Sequence, residues 1–257
     1  MNLDLKSKSP FVKAVDIRKG ISYPDQTFSV VYHSHLLEHL PKRAALGFLQ
    51  ECYRVLVPGG VIRVVVPDLE QIVRTYLSIL DKSPENTAEL QYDYEWITLE
   101  LLDQLVRDCS GGEMGKYLRQ ERIPNLEFVY ERIGGEARRI VTTAQNTKPP
   151  TKQKQHFIRT VRNFSAHLKI KLTRHLLGTE DYSALELGRF RMSGEVHQWM
   201  YDRYSLGKLL EVVGFLQVTK REANESAINN WQSFNLDTEP DGSVYKPESL
   251  FMEAIKP

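Results

Sequence analysis

A chain of 257 residues, 41% hydrophobic and 26% charged, has the apolar material for one large core and is neither fibrous nor disordered in composition. Its 34 basic and 33 acidic side chains nearly cancel, leaving a net charge of +1, so overall charge singles out neither nucleic acid nor membrane as a partner. Two cysteines, Cys52 and Cys109, build no disulfide framework, and no apolar run reaches the roughly 18 residues of a membrane span or forms the hydrophobic segment of a leader. The expected setting is a reducing cytoplasm.

Residues 1–5 and 11–15 read as short strands that end at Asp4 and Asp16. In open parallel sheets ligands bind beyond the carboxyl ends of strands, where such acids can accept hydrogen bonds from hydroxyls or an amine. The alternative is an ordinary loop-start Asp at each position. After Gly20 and a turn, residues 28–32 form a β-branched and aromatic run, and residues 61–66 form a second. Between them Pro41 opens a helix whose apolar face is Ala45, Phe48, Leu49, Cys52 and Leu56, with Gly59 and Gly60 expected to end it. Strand, helix and strand make one βαβ unit, which commits the fold to α/β with a right-handed crossover.

The loop after residue 32 holds the densest chemistry: His33, Ser34, His35, Glu38 and His39. His33 sits where its strand ends and is a candidate general base. With a helix starting near Ser34, His35 and His39 would share a face, spacing compatible with a metal pair. Zinc needs three or four ligands and the sequence shows no clear distant partner, so no metal is expected.

The succession of Asp4, Asp16, VVYHSHLLEHL, RVLVPGG and a strand running into VVPDLE resembles the class I S-adenosylmethionine-dependent methyltransferases, in particular the small-molecule branch called type 11. The LEH tripeptide at 37–39 and the LVPGG turn at 56–60 are its most specific parts; the likeness is good over residues 1–77 and loose over the last 60 or so. It implies a seven-stranded Rossmann-like sheet with helices on both faces and a closing antiparallel strand, and S-adenosylmethionine as cofactor. By the same resemblance Asp4 would hold the adenosyl ribose and Asp16 and Ile17 would lie near the adenine. Tyr32, His33 and Ser34 would flank the methionine moiety and the acceptor. The family's glycine-rich loop after its first strand has no counterpart here. If residues 1–5 are the second strand, the chain reads as N-terminally truncated or as a degenerate relative.

Downstream, residues 69–80 form a helix with Ile72, Val73, Tyr76, Leu77 and Leu80 on one face, and residues 87–135 continue as helix. Tyr92, Tyr94, Trp96 and Tyr117 suit either stacking on a sugar ring or plain helix packing. Residues 137–179 contain no Asp or Glu and many Lys and Arg. There 147–155 reads as an exposed linker and 157–178 as an amphipathic basic helix, able to contact an anionic membrane surface or to lie as a lid on the core. Nucleic acid is not the expected partner, because aromatic residues are sparse among the basic ones. Residues 194–202 bring His197, Trp199, Tyr201 and Asp202, with His197 a second candidate base. A helix stopping at Gly214 and two closing strands, 215–220 and 250–255, follow.

The expected organisation is residues 1–80 and 194–257 as two parts of one core, with 81–193 as a helical insertion. The expected activity is methyl transfer from S-adenosylmethionine to an oxygen or nitrogen of a small polar acceptor, a sugar or glycan precursor foremost. The rival is a non-catalytic scaffold of the same fold, or a membrane-surface binding protein.

Overall fold

The computed structural model describes residues 2–4, 10, 12–82, 87–146 and 159–257, with the backbone alone at 2–4, 12, 14, 18 and 159–172. Among these residues six strands form two sheets. Strands β1 (Asn2–Asp4) and β2 (Val12–Ala14) run parallel as a pair, with Asp4 opposite Ala14. The main sheet contains β3 (Phe28–Ser34), β4 (Leu56–Pro67), β5 (Leu216–Arg221) and β6 (Ser249–Ile255), in the order β3-β4-β6-β5. The β3–β4 pair is parallel and β6 runs antiparallel to both its neighbours, so the closing antiparallel strand is present.

Helix α1 (Lys42–Val55) is the crossover of the βαβ unit. Pro41 precedes its first turn at φ −53°, close to what a helix start needs, and Ala45, Phe48, Leu49, Cys52 and Val55 form its buried face. The expected glycine stop is corrected: α1 ends at Val55, and Gly59 and Gly60 lie inside β4. There the register jumps, Phe28 facing Leu56 and Val30 facing Val61, so the VPGG stretch is a bulge against β3. Gly60 is needed for close approach, since a Cβ would stand 2.8 Å from the Val57 carbonyl oxygen and 3.2 Å from that of Ser29.

Helices α2 (Leu69–Asp81) and α3 (Ala88–Val106) follow β4. The Asp68 carboxylate caps α2, accepting from the amides of Glu70 and Gln71. The single helical stretch expected to 135 is instead α3, α4 (Gly112–Tyr117) and α5 (Leu126–Ile133), then α6 (Gly135–Asn146). They share their own core of Trp96, Met114, Tyr117, Leu118, Val129, Ile133, Ala137 and Val141. Helix α7 runs Arg159–Arg191 with a non-helical Gly178 at φ 78° and ψ 173°, where two helices meet at a kink. The expected linker 147–155, and Phe157 and Ile158 of the expected basic helix, lie outside the described residues. Helix α8 (Arg203–Val213) starts on a capping box between Asp202 and Ser205 and stops at Gly214, φ 109°.

The main core packs α1 and α8 against one face of the sheet, with Leu37, Leu49, Leu56, Ile62, Val64, Val66, Leu206, Leu210, Leu250 and Ala254 buried in it. Strand alternation sends Tyr32, Arg63 and Val65 to the opposite face. That face is covered by the loop between β5 and β6, organised on the fully buried Arg63. Its Nε donates to Asp237 Oδ2 at 2.8 Å, and Nη1 to Glu253 Oε1 at 2.9 Å and to the Glu225 carbonyl at 2.8 Å. Nη2 donates to the carbonyls of Glu222 and Ala223, and the guanidinium lies 4.4 Å over the Trp231 ring. The result is an α/β sheet flanked by helices, with a helical segment between β4 and β5.

Candidate functional site

The site gathers at the carboxyl end of β3. His33, buried and pointing to the α1 side, sets its ring edge-on to Phe48 with centroids 5.2 Å apart. Neither of its ring nitrogens has a hydrogen-bond partner among the described residues. The α-helical start expected at Ser34 is not formed. His35 takes φ 49°, and Leu37–His39 makes a single 3-10 turn. That turn drives Leu37 into the core and buries Glu38 completely. His35 and His39 still converge, but on Glu38: Oε1 lies 3.3 Å from His35 Nδ1 and 4.0 Å from His39 Nε2. His35 is held from its other side, Nε2 standing 2.9 Å from Ser249 Oγ.

The segment before α8 closes over this turn. The amides of Gln198 and Trp199 donate to the Glu38 carbonyl, and the His197 amide donates to the Gln104 carbonyl at 2.9 Å. His197, 4% exposed, thereby stands T-shaped to His39 with ring centroids 4.7 Å apart. Tyr201 is anchored by backbone, its carbonyl accepting from the Leu69 amide, while its buried hydroxyl has no partner among the described residues.

Burial pushes the His33 imidazole down to about 4, against a smaller upward pull from Glu38, and pushes His197 down to about 3. Both are neutral at physiological pH. Burial would raise Glu38, but His35, His197 and His39 around it outweigh that effect and hold the carboxylate below its usual range. Burial, aided by the Glu38 charge, pushes Tyr201 up to about 12. A buried anion among imidazoles can orient a donor, accept a proton or ligate a cation.

The other residues singled out in the sequence are dispersed. Asp4 and Asp16 lie at the carboxyl ends of the parallel β1 and β2. Asp16 is half-buried, its carbonyl accepting from the Lys19 amide, and Ile17 begins the 3-10 turn Ile17–Lys19 and packs on the main core. Ser34 ends β3 half-buried. Tyr32 faces the opposite side of the sheet, its hydroxyl donating to Asp237 Oδ1 at 2.7 Å, so its side chain belongs to the Arg63 network. Of the aromatic set, Trp96 and Tyr117 pack together in the helical core, and Tyr94 leans on Tyr76. Sequence reading missed the Arg63 network altogether; the signal was a lone arginine inside the run VIRVVV. It also missed that His197 meets the LEH turn, for which spacing along the chain offers no signal.

In α7 the described side chains begin at residue 173, and Leu176 is 74% exposed with Leu177 beside it. No helix among the described residues is long and apolar enough to cross a membrane.

No curated protein matches the chain. Residues 4–64 match the family model of the methyltransferase domain. That segment runs from the end of β1 through the His33 loop and α1 into β4, so the match covers the strand ends and the loop just described. Over residues 4–64, about a quarter of its length, the chain is thus similar to the type 11 methyltransferase domain.

Proposed function

We propose that the chain transfers a methyl group from S-adenosylmethionine to an oxygen or nitrogen of a small polar acceptor, a sugar or glycan precursor being the class we favour. The observation that carries this reading is His33: a buried, neutral imidazole with both nitrogens unpartnered among the described residues, at the carboxyl end of a parallel strand and inside the methyltransferase match. The donor set suits the adenosyl part of the cofactor, with Asp4 and Asp16 at adjacent parallel strand ends as acceptors for hydroxyls or an amine. Ile17 and Ser34 would complete its walls, and Tyr32 would contribute main chain only, since Asp237 engages its hydroxyl.

When bound, the sulfonium supplies the electrophilic methyl. The chain's own work is to align the acceptor and take its proton. We assign the proton to His33 in preference to His197, which is gathered into the Glu38 cluster. The test is calorimetric titration of the full chain with S-adenosylhomocysteine. Micromolar binding that weakens at least tenfold in Asp16→Asn is expected; a folded chain that does not bind would overturn the reading. His33→Ala should leave that affinity within a few-fold while lowering methyl transfer about a hundredfold.

A second reading rests on the glycine pairs. Gly59 and Gly60 form the β4 bulge, Gly111 and Gly112 open α4, and Gly134 and Gly135 pack against Pro247 and Tyr245, so each pair serves local packing. Among the described residues none lines the ends of β1 and β2. A scaffold of this fold without turnover, docking on anionic surfaces through the stretch 157–178, would bind vesicles containing acidic lipids yet fail the titration.

A further inference from the structure

The methyltransferase reading makes no use of Glu38, His39 and His197. One donor atom from each lies within 4.8 Å of the others, although His197 is far from the LEH turn in sequence. We propose that these three residues bind a single first-row divalent transition-metal cation, with coordination positions left open for water or a substrate oxygen.

The unmet hydrogen-bonding capacity points to a ligand. Both carboxylate oxygens of the fully buried Glu38, and the buried Nδ1 atoms of His39 and His197, have no hydrogen-bond partner among the described residues. Buried groups of this kind are costly when left unpaired, and with one donor atom from each residue within 4.8 Å of the others a shared partner would serve all three. A protein donor would have to come from the surrounding rings. His35 Nδ1 approaches Glu38 Oε1 at 3.3 Å from one side and leaves Oε2 without a partner among the described residues. His39 and His197 meet each other edge to face, with no hydrogen bond between them.

The surroundings behave as an outer shell that aims the ligands. The Glu38 main chain is pinned by the amides of Gln198 and Trp199, and its carboxylate is steered by His35, itself held by Ser249 Oγ. Outer contacts of this kind fix ligand orientation and sharpen affinity. Two imidazoles and one carboxylate suit zinc, manganese, cobalt or iron(II), and suit calcium and magnesium poorly. Bonds of about 2.1 Å would draw the donors slightly closer than they stand, an adjustment within reach of side-chain rotation. Three protein ligands in place of four leave the cation open to exchange.

The proposal does not depend on the methyltransferase reading, and its test needs no cofactor. The full chain is stripped with a chelator, dialysed, and titrated calorimetrically with Zn2+, Mn2+ or Co2+ alone. One cation per chain is expected, with at least a hundredfold loss of affinity in His39→Gln and in His197→Gln, each checked for native circular dichroism. His33→Gln, on β3 five residues before Glu38 and outside the set, should bind within a few-fold of the parent. Absence of saturable stoichiometric binding of all three ions, or binding that survives His197→Gln unchanged, would overturn it. Should His197→Gln not fold, pulsed electron paramagnetic resonance of the Mn2+-loaded parent decides: two coordinated imidazole nitrogens support the site, fewer reject it.

Discussion

The sheet carries a buried polar cluster on each face, and the two are built on opposite rules. On the face away from α1, Arg63 gives its donors to Asp237, Glu253 and three carbonyls, and Tyr32 completes Asp237. On the α1 side His33, Glu38, His197 and Tyr201 are buried to a similar depth and His39 is half-buried, yet each keeps at least one polar atom without a partner among the described residues. Tyr32 and His33 are consecutive residues, so one step along β3 separates a satisfied network from an unsatisfied one. A satisfied cluster rigidifies and specifies the fold, whereas one with unmet polar groups is an expense that a binding or catalytic role would offset.

The comparison can be broken or sharpened by substitution. The largest effect is expected at Arg63→Met, which leaves Asp237 and Glu253 as buried charges without their cation and should cost about 3–5 kcal/mol in urea denaturation. A loss below 1 kcal/mol would mean that the network is no structural hub.

Next comes Glu248, which precedes Ser249 in the chain and whose Oε2 has no partner among the described residues. Burial, with small contributions from Glu100 and Glu136 and against a downward pull from Lys246, pushes it to about 8 from 4.5. The native protein therefore keeps a proton that the unfolded chain releases between those values. Stability should fall as pH rises from about 4.5 to about 8 and level off beyond. Glu248→Gln should flatten that slope and raise stability at pH 8 by on the order of 2 kcal/mol, read from unfolding midpoints across the pH range.

The smallest effects contrast two tyrosines. Tyr32→Phe strips Asp237 of a hydrogen bond and should cost about 1–2 kcal/mol. Tyr201→Phe removes a hydroxyl with no partner among the described residues and should change stability by roughly zero, or raise it slightly. Equal losses at the two positions would show that the faces do not differ.

Much of this was legible in local pattern. The 3.6-residue recurrence of Ala45, Phe48, Leu49 and Cys52 located α1, and β-branched runs located β3, β4 and the closing pair β5–β6, because burial of one face imposes its period on the chain. The cluster HSHLLEH announced chemistry at a strand end. Other readings failed where a neighbour outweighed a local preference. Gly59 and Gly60 look like a helix stop, but Gly59 is called for by its φ of 75° and Gly60 by the carbonyls of Val57 and of Ser29 on the adjacent strand. His35 and His39 have helical spacing, yet they meet through a 3-10 turn after a left-handed residue.

By itself, then, the sequence determined the α/β class, the βαβ unit, the strand-end acids and the family resemblance, all of which are written in short-range periodicity and motif. Tertiary structure alone decided that Arg63 anchors the far face, that the Tyr32 side chain turns away from the site, and that His197 joins Glu38 and His39. Such meetings depend on which loop the folded sheet brings over which strand end, and no spacing along the chain encodes that distance.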